Sequence, residues 1–265
     1  MVIPTCKDLE RFLLHINGEE KLVPLKGRRS LTEAVELNKE APRIISTFGK
    51  KEFKAVVGFV DMRGFSSKAR GKTPLEVHAL VKPFIDLVIK VSTGLQWFID
   101  KTIGDEVMVI RPIFGQDVQY SLIELKTPTY TVMEITSFVS ELILALRESN
   151  LDCNFSGGFA IGKVVLDRVG VDPFKEWTCY GNTINAAKRL QSEVSCSKEP
   201  GNIIAVGSLK YEVPDIKEQL DVWLQMLPAV ERIRLSDCTP EEKQLKGVGE
   251  AIFVQGQVVL KGDNI

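Results

Sequence analysis

Short apolar runs divide the chain into six predicted strands, each bounded by turn residues. The predicted strands lie near 55–60, 97–99, 107–110, 155–168, 202–206 and 251–260. Asp61 follows the first strand directly, and a turn at Gly104 and Asp105 separates the second strand from the third. This pattern predicts a hairpin with Asp105 at its tip. If the hairpin pairs beside the first strand, the carboxylates of Asp61 and Asp105 converge.

Apolar residues with helical spacing predict helices between these strands. The segments are 8–14, 31–37, 74–91 and 131–148, and the stretch 177–190 opens a further helix. Ser30 and Glu33 form a capping-box pattern at the start of the second segment. The resulting order, β-α-β-β-α-β with additions, is the split βαβ or ferredoxin-like pattern. We therefore predict an α+β fold.

The predicted core strands also indicate how the chain is organised. Residues 1–51 precede the first core strand and are interpreted as an N-terminal appendage, whereas residues 52–265 are interpreted as one domain. Around the strand near 202–206, residues 195–245 are polar and carry four prolines. That composition predicts an irregular excursion before the last strand.

Composition limits the possible functional classes. With 265 residues, of which 44% are hydrophobic and 26% charged, the chain can bury a sizeable core. A net charge of −1 gives no overall field for a polyanion, so we predict no nucleic-acid partner. No apolar run reaches ~18 residues, so we predict no membrane association. The five cysteines lack CxxC spacing and favour a reduced, cytoplasmic protein.

Asp61 and Asp105 are the candidate metal ligands. Each acid alone is more often a simple turn residue, but both lie at the end of an apolar run beside a glycine. Hard carboxylate oxygens at a glycine-rich turn are typical of magnesium or manganese bound together with substrate phosphates. The paired pattern therefore indicates a site for two divalent ions.

A third stretch supplies candidate substrate contacts. On the predicted helix that 177–190 opens, Asn185 and Arg189 are four residues apart and share one face. An amide and a guanidinium one turn apart can hold a ribose and a phosphate. The alternative for an isolated stretch is a solvated helix face that carries Lys188 and Arg189.

Taken in chain order, the stretches 59–66, 101–106 and a third that comprises 157–165 and 177–190 resemble the class III nucleotide cyclases, the family of adenylate and guanylate cyclase catalytic domains. The resemblance covers roughly Phe53 to Val259. It implies the ferredoxin-like α+β core of that catalytic domain, a nucleoside triphosphate substrate, and two Mn²⁺ or Mg²⁺ ions as cofactors. It also implies a 3′,5′-cyclic nucleotide and pyrophosphate as products.

The resemblance also implies a role for each matching residue near the metals and phosphates. Asp61 and Asp105 match the family's two metal-binding aspartates, and Met62 falls where a backbone carbonyl completes the metal shell. The turn amides that hold the β- and γ-phosphates match Gly64, Phe65 and Ser66.

The remaining implied roles concern the base, the ribose and the transition state. Lys101 and Thr178 match the pair that contacts the base, Asn185 the residue that orients the ribose, and Arg189 the residue that stabilises the transition state. Lys163 lies where the family often has an arginine that faces the triphosphate. Lys246, in a region similar to the family's closing loop, is also expected to reach the phosphates.

The same resemblance implies a head-to-tail homodimer. In the family, one subunit supplies the metal aspartates and its partner supplies the base, ribose and transition-state residues. This chain carries both sets, so each dimer is expected to contain two equivalent shared sites. A monomer is expected to be inactive.

The base is where alternatives stay open. Lys101 and Thr178 fit adenine and resemble the Lys-Thr pair of many bacterial adenylate cyclases, whereas guanylate cyclases tend to carry an acid at the lysine position. A short catalytic domain with an N-terminal appendage instead resembles the pyrimidine cyclases of bacterial antiphage defence, which make cyclic CMP or cyclic UMP. We favour a pyrimidine cyclase, with an adenylate cyclase as the alternative.

Two hypotheses from other functional classes are weaker. A degenerate cyclase that binds nucleotide without turnover usually lacks a metal aspartate or the transition-state arginine, and both are present here. A ferredoxin-like regulatory domain that senses a small molecule would account for the fold but leaves the paired acids unexplained.

Overall fold

The computed structural model describes residues 52–95, 97–113, 129–169, 176–230, 233–236 and 238–260. The strands are β1 (Phe53–Met62), β2 (Phe98–Ile103), β3 (Glu106–Pro112), β4 (Phe155–Val169), β5 (Glu176–Tyr180), β6 (Asn202–Leu209), β7 (Ile233–Leu235), β8 (Glu241–Leu245) and β9 (Gly249–Leu260). The helices are α1 (Phe65–Ala69), α2 (Pro74–Gly94), α3 (Thr129–Glu148), α4 (Asn182–Ser195) and α5 (Ile216–Val230). The predicted helices at 8–14 and 31–37 lie outside the described residues. The division of the chain at residue 51 stays a prediction.

The sheet confirms the predicted α+β architecture. Its strand order is β2-β3-β1-β4-β6-β9-β7, with β5 paired to β4 and β8 to β9. Helix α2 crosses from β1 to β2, and β3 lies between those two strands, antiparallel to both. This arrangement is a split βαβ unit. Strands β4 and β6 pair in parallel, whereas β1 and β4 pair antiparallel.

Helices cover the sheet on both faces. On one face, α2, α3 and α5 bury Phe84, Phe138 and Trp223 completely against the sheet. On the other face, α4 buries Leu190 and its apolar neighbours in a second core cluster. Burial of each large apolar side chain contributes roughly 1.5–3 kcal/mol, so the two clusters stabilise the packing of the helices on the sheet. No helix within the described ranges is long and apolar enough to cross a bilayer.

A close backbone contact fixes α4 on its face of the sheet. At Gly158 in β4, an added Cβ would lie 2.0 Å from the backbone nitrogen of Gln191 and 2.4 Å from the carbonyl oxygen of Ala187. Only glycine permits this approach of helix backbone to strand backbone. The position of α4 relative to β1 and β4 is therefore well defined, which matters because α4 carries several candidate site residues.

Two predictions about local structure are wrong. The described residues of 195–245 are not irregular, since they form β6, α5, β7 and β8. Helix α5 forms because Leu220, Trp223 and Leu227 share one buried face. Three of the four prolines in this segment precede an element, as Pro214 does before α5, whereas Pro228 lies within α5. The stretch 177–190 does not begin as helix, since its first residues belong to β5 and α4 begins after Gly181, whose φ is 144°.

Candidate active site

The two candidate metal ligands meet at one end of β1. In the β1–β3 register, Asp61 lies opposite Glu106, and Asp105 is the preceding turn residue. The side chains of Asp61 and Asp105 are hydrogen-bonded to each other. Burial, this hydrogen bond and the charge of Asp105 raise the pKa of Asp61 to about 7. The convergence predicted from the strand pattern is therefore present in the structure.

A lysine from α4 lies beside this pair. The ammonium of Lys188 forms an ion pair with Glu106, whose side chain is only 8% exposed, and lies 3.1 Å from Oε1 of Gln191. Nε2 of Gln191 donates to Oδ2 of Asp61 at 3.2 Å. The positive charge of Lys188 partly opposes the raised pKa of Asp61. A cation is thus already held at the edge of the acidic cluster.

The donor set fits a cation site made by two carboxylates. A buried acid with a raised pKa is destabilised when it ionises, and a bound cation removes that cost. Among the described residues, no group of three or more His, Cys, Asp or Glu side chains is placed to hold a metal ion. Met62 buries its side chain in the core, so only its backbone is available to a ligand.

The turn after β1 begins a short helix. Gly64 has a φ of 71°, a left-handed conformation that glycine adopts without strain, and its carbonyl accepts hydrogen bonds from the amides of Ser67 and Lys68. The amides of Phe65 and Ser66 precede that first helical hydrogen bond. The first amides of a helix have no partner inside the helix and are available to an anion.

The two residues expected to contact the base are adjacent. Nζ of Lys101 in β2 donates to Oγ1 of Thr178 in β5 at 2.7 Å. Both also contact the carboxylate of Asp100, at 3.1 Å from Lys101 and 3.0 Å from Thr178. The structure therefore brings together two residues that are separated by 77 positions in the sequence.

Asn185 and Arg189 lie on the outer side of α4. Both side chains are exposed, and within the described parts of the chain neither makes a hydrogen bond or an ion pair. At about 100° per residue, Arg189 and Gln191 point roughly 160° apart around the helix. Gln191 contacts Asp61 of its own chain, so Arg189 is directed away from that carboxylate.

Within the described residues, Lys163 and Lys246 make no hydrogen bond or ion pair with Asp61 or Asp105 of the same chain. Lys163 lies opposite Lys54 on β1, whereas Asp61 lies opposite Ser156, seven positions along β4 and therefore about 23 Å away. Its ammonium lies 3.2 Å from Glu52. Lys246 is exposed in the turn between β8 and β9. Their expected roles toward the triphosphate stay predictions.

Comparisons with known proteins identify the fold. No family model matches the sequence. The chain is 26% identical over 162 residues to the receptor-type guanylate cyclase gcy-8 of Caenorhabditis elegans, a match that covers 61% of this chain but only 14% of that relative. The crystal structure of the guanylyl cyclase Cya2 superposes with a TM-score of 0.56 at 21% identity, covering 82% of this chain and 98% of that one. The chain has the class III nucleotide cyclase fold.

A second solved structure with the cyclase fold is the adenylyl cyclase CyaB from P. aeruginosa. Its TM-score is 0.52 at 19% identity, and the match covers 82% of this chain and 98% of that one. Because one of these structures is a guanylyl cyclase and the other an adenylyl cyclase, the cyclase fold by itself does not identify the base.

Four site residues of this cyclase fold were not found from the sequence: Asp100, Glu106, Lys188 and Gln191. Glu106 and Asp100 are acids within strands. Their burial indicates a specific role, but burial of a strand acid cannot be predicted from the strand pattern alone. Lys188 has no role assigned from the sequence, and is named only in the alternative of a solvated helix face. Its contact with Glu106 spans 82 positions, which no local pattern reports.

Proposed function

We propose that this chain is a nucleotide cyclase that converts a nucleoside triphosphate to a 3′,5′-cyclic nucleotide and pyrophosphate. The observation that carries the proposal is the hydrogen-bonded pair of Asp61 and Asp105 at the end of β1, next to the Gly64 turn. The cyclase fold and the similarity to guanylate and adenylate cyclases support it. The proposed location is the cytoplasm.

Asp61, Asp105 and the backbone carbonyl of Met62 are proposed to hold two divalent ions. When bound, Mg²⁺ or Mn²⁺ would lower the pKa of the ribose 3′-hydroxyl and neutralise negative charge on the triphosphate. The amides at Phe65 and Ser66 bind the β- and γ-phosphates. These contacts fix the triphosphate so that the leaving pyrophosphate lies opposite the attacking oxygen.

The remaining steps are assigned to α4 and the base pocket. Asn185 orients the ribose, so that the 3′-hydroxyl lies close to the α-phosphate of the same nucleotide. Arg189 faces the negative charge that develops at the α-phosphate, a preorganised contact typically worth ~10²–10³ in rate. Lys101 and Thr178 contact the base, and Lys163 and Lys246 are proposed to contact the phosphates.

The proposed active unit is a head-to-tail homodimer with two shared sites. Gln191 of α4 contacts the Asp61 of its own chain, whereas Asn185 and Arg189 project from other parts of the helix surface and have no partner within the described residues. A monomer would leave these two side chains without substrate. A partner subunit would present its triphosphate to them.

The first expected result concerns the base. Among ATP, GTP, UTP and CTP, assayed with Mn²⁺, we expect cyclic UMP or cyclic CMP as the main product, in keeping with a pyrimidine cyclase of bacterial antiphage defence. Cyclic AMP as the main product would support the adenylate cyclase alternative. Mass spectrometry of the product distinguishes these outcomes. The absence of a cyclic product from all four triphosphates, in a folded dimer, would contradict the cyclase proposal.

The second expected result concerns Lys188 and metal affinity. Its ammonium lies beside acids that are proposed to bind divalent ions, so Lys188→Met should remove repulsion and strengthen Mn²⁺ binding about tenfold, which corresponds to roughly 1.4 kcal/mol. The measurement is calorimetric titration of the nucleotide-free protein with Mn²⁺. Unchanged or weaker Mn²⁺ binding would contradict the expectation that the ammonium of Lys188 repels the bound metal ion.

Two further variants serve as controls for that titration. Lys243→Met removes an exposed lysine that pairs with Glu193 on the outside of α4, and it should leave Mn²⁺ affinity unchanged. The double variant Glu106→Gln with Lys188→Met keeps the net charge of the cluster, so its affinity should return close to that of the unmodified protein.

A further inference from the structure

Asp100 joins the two residues that are proposed to contact the base, although its own side chain is only 1% exposed. Its Oδ1 accepts the backbone N–H of Cys179 at 2.9 Å, and its Oδ2 accepts the hydroxyl of Thr178 at 3.0 Å. Nζ of Lys101 lies 3.1 Å from the same Oδ2. The carboxylate is therefore held by three donors from two strands.

The backbone of β2 is irregular at this residue. Ile99 pairs with Val109 and Lys101 with Met108, so Asp100 is the extra residue of a β-bulge. A bulge bends the strand locally and can redirect a side chain. Strands β2 and β5 do not pair with each other in the sheet. The bulge thus turns Asp100 toward β5, where it contacts Thr178 and Cys179.

The hydrogen bonds fix the direction of each proton. An ionised carboxylate only accepts hydrogen bonds, so the hydroxyl of Thr178 donates to Asp100. The oxygen of Thr178 in turn accepts from Lys101 at 2.7 Å. This leaves one lone pair on Thr178 and one N–H on Lys101 for a ligand. The edge of a nucleotide base presents an acceptor and a donor side by side. A neighbouring donor and acceptor of fixed direction can therefore bind it.

We propose that Asp100 is a positioning residue that sets base selectivity, by holding Lys101 as donor and Thr178 as acceptor toward the base of the substrate. The inference rests on the proposed function, because it names the residue that orders the base pocket of that same site. Its ligand class is a nucleoside triphosphate whose base offers a neighbouring acceptor and donor. Asp100 itself, being buried behind the pair, does not touch the base.

The first test is the variant Asp100→Asn. An amide nitrogen in place of a carboxylate oxygen donates instead of accepting, so the hydroxyl of Thr178 is no longer held in one direction. We expect the ratio of kcat/KM between the preferred and the least preferred triphosphate to fall about 10- to 100-fold. Asp86→Asn, which removes an exposed acid from α2, should leave that ratio unchanged. An unchanged ratio in folded Asp100→Asn protein would overturn the inference.

Variants of Thr178 keep the test decisive if Asp100→Asn does not fold. Thr178→Ser retains the hydroxyl that donates to Asp100 and should preserve selectivity, whereas Thr178→Val removes it and should reduce selectivity as much as Asp100→Asn. The double variant Asp100→Asn with Thr178→Val should lose no more than either change alone, because both act through one chain of hydrogen bonds. Full selectivity in Thr178→Val would overturn the inference.

A binding experiment separates this inference from the proposed function. The 3′-deoxy forms of the four triphosphates lack the attacking hydroxyl, so their affinities can be measured by calorimetry without turnover. If the unmodified protein prefers one base in binding but makes no cyclic product, cyclisation fails while the role of Asp100 is still tested by its variants. If binding shows no base preference, the inference about Asp100 is overturned whatever the activity.

Discussion

Asp61→Asn and Asp105→Asn will each reduce cyclisation by more than ~10³-fold, because each replaces a charged carboxylate ligand by a neutral amide at the proposed metal site, where bound cations supply several kcal/mol of charge stabilisation. The two carboxyls are hydrogen-bonded to each other, and asparagine matches their size without their charge. The measurement is cyclic nucleotide formation with Mn²⁺ and with Mg²⁺. Activity near that of the unmodified protein in either variant would contradict the metal assignment.

Thermal unfolding of metal-free Asp61→Asn is the folding control for that result. The pKa of Asp61 is raised from 3.8 to about 7, so between these values the folded state binds more protons than the unfolded state. Stability therefore falls as the pH rises through this window, and the full cost is present at pH 8. The variant has no such cost. Its Tm in EDTA should exceed that of the unmodified protein at pH 8, with a smaller difference at pH 4. A lower Tm at both pH values would show that loss of activity reflects misfolding.

The sequence pattern is sufficient to predict those site residues whose positions depend on their neighbours along the chain. Asp61 follows an apolar strand and Asp105 lies in a glycine turn, so both positions could be predicted from neighbours along the chain. The pairing of β1 with β3 then brings them together. Antiparallel pairing through a short hairpin leaves little freedom in register, which explains why this prediction succeeded.

Contacts across the fold were not predictable in this way. Asp100 reaches Thr178 because of a bulge, and a bulge has no simple signal in a run such as Trp97-Phe98-Ile99. No local pattern gives Lys188 a partner, yet the close packing of α4 at Gly158 brings Lys188 to Glu106. Helix α5 is not predicted because Pro214 before it and Pro228 within it indicate irregular structure, although Leu220 and Trp223 share a buried helical face.

Helix α4 connects the two halves of the proposed catalytic machinery. Through Gln191 it contacts the Asp61 of its own chain, and it carries Asn185 and Arg189, which make no hydrogen bond or ion pair within the described residues and are proposed to act on the partner's substrate. If the sites are shared as proposed, the close packing of α4 on β4 fixes the distance between the metal half of one site and the transition-state half of the other. A twofold dimer of such chains contains two complete sites, each divided between subunits.

This division predicts recovery of activity on mixing. Asp61→Asn and Arg189→Ala are each expected to be inactive alone, but a heterodimer combines the intact aspartates of the second variant with the intact Arg189 of the first. Random exchange of subunits makes about half of the dimers mixed, each with one intact site of two, so activity should recover to roughly a quarter of that of the unmodified protein. The measurement is cyclic nucleotide formation after exchange, with heterodimers verified by native mass spectrometry.

A mixture of Asp61→Asn with Asp105→Asn is the matched control, because both changes fall in the same half of the site and every dimer then lacks an intact metal half. This control should stay inactive at the same heterodimer content. If the first mixture also stays inactive although heterodimers are present, Arg189 acts on the Asp61 site of its own chain, contrary to the outward direction of its side chain on α4. If both mixtures recover, the two aspartates are not required in the same subunit, and the assignment of one metal half to each chain is wrong.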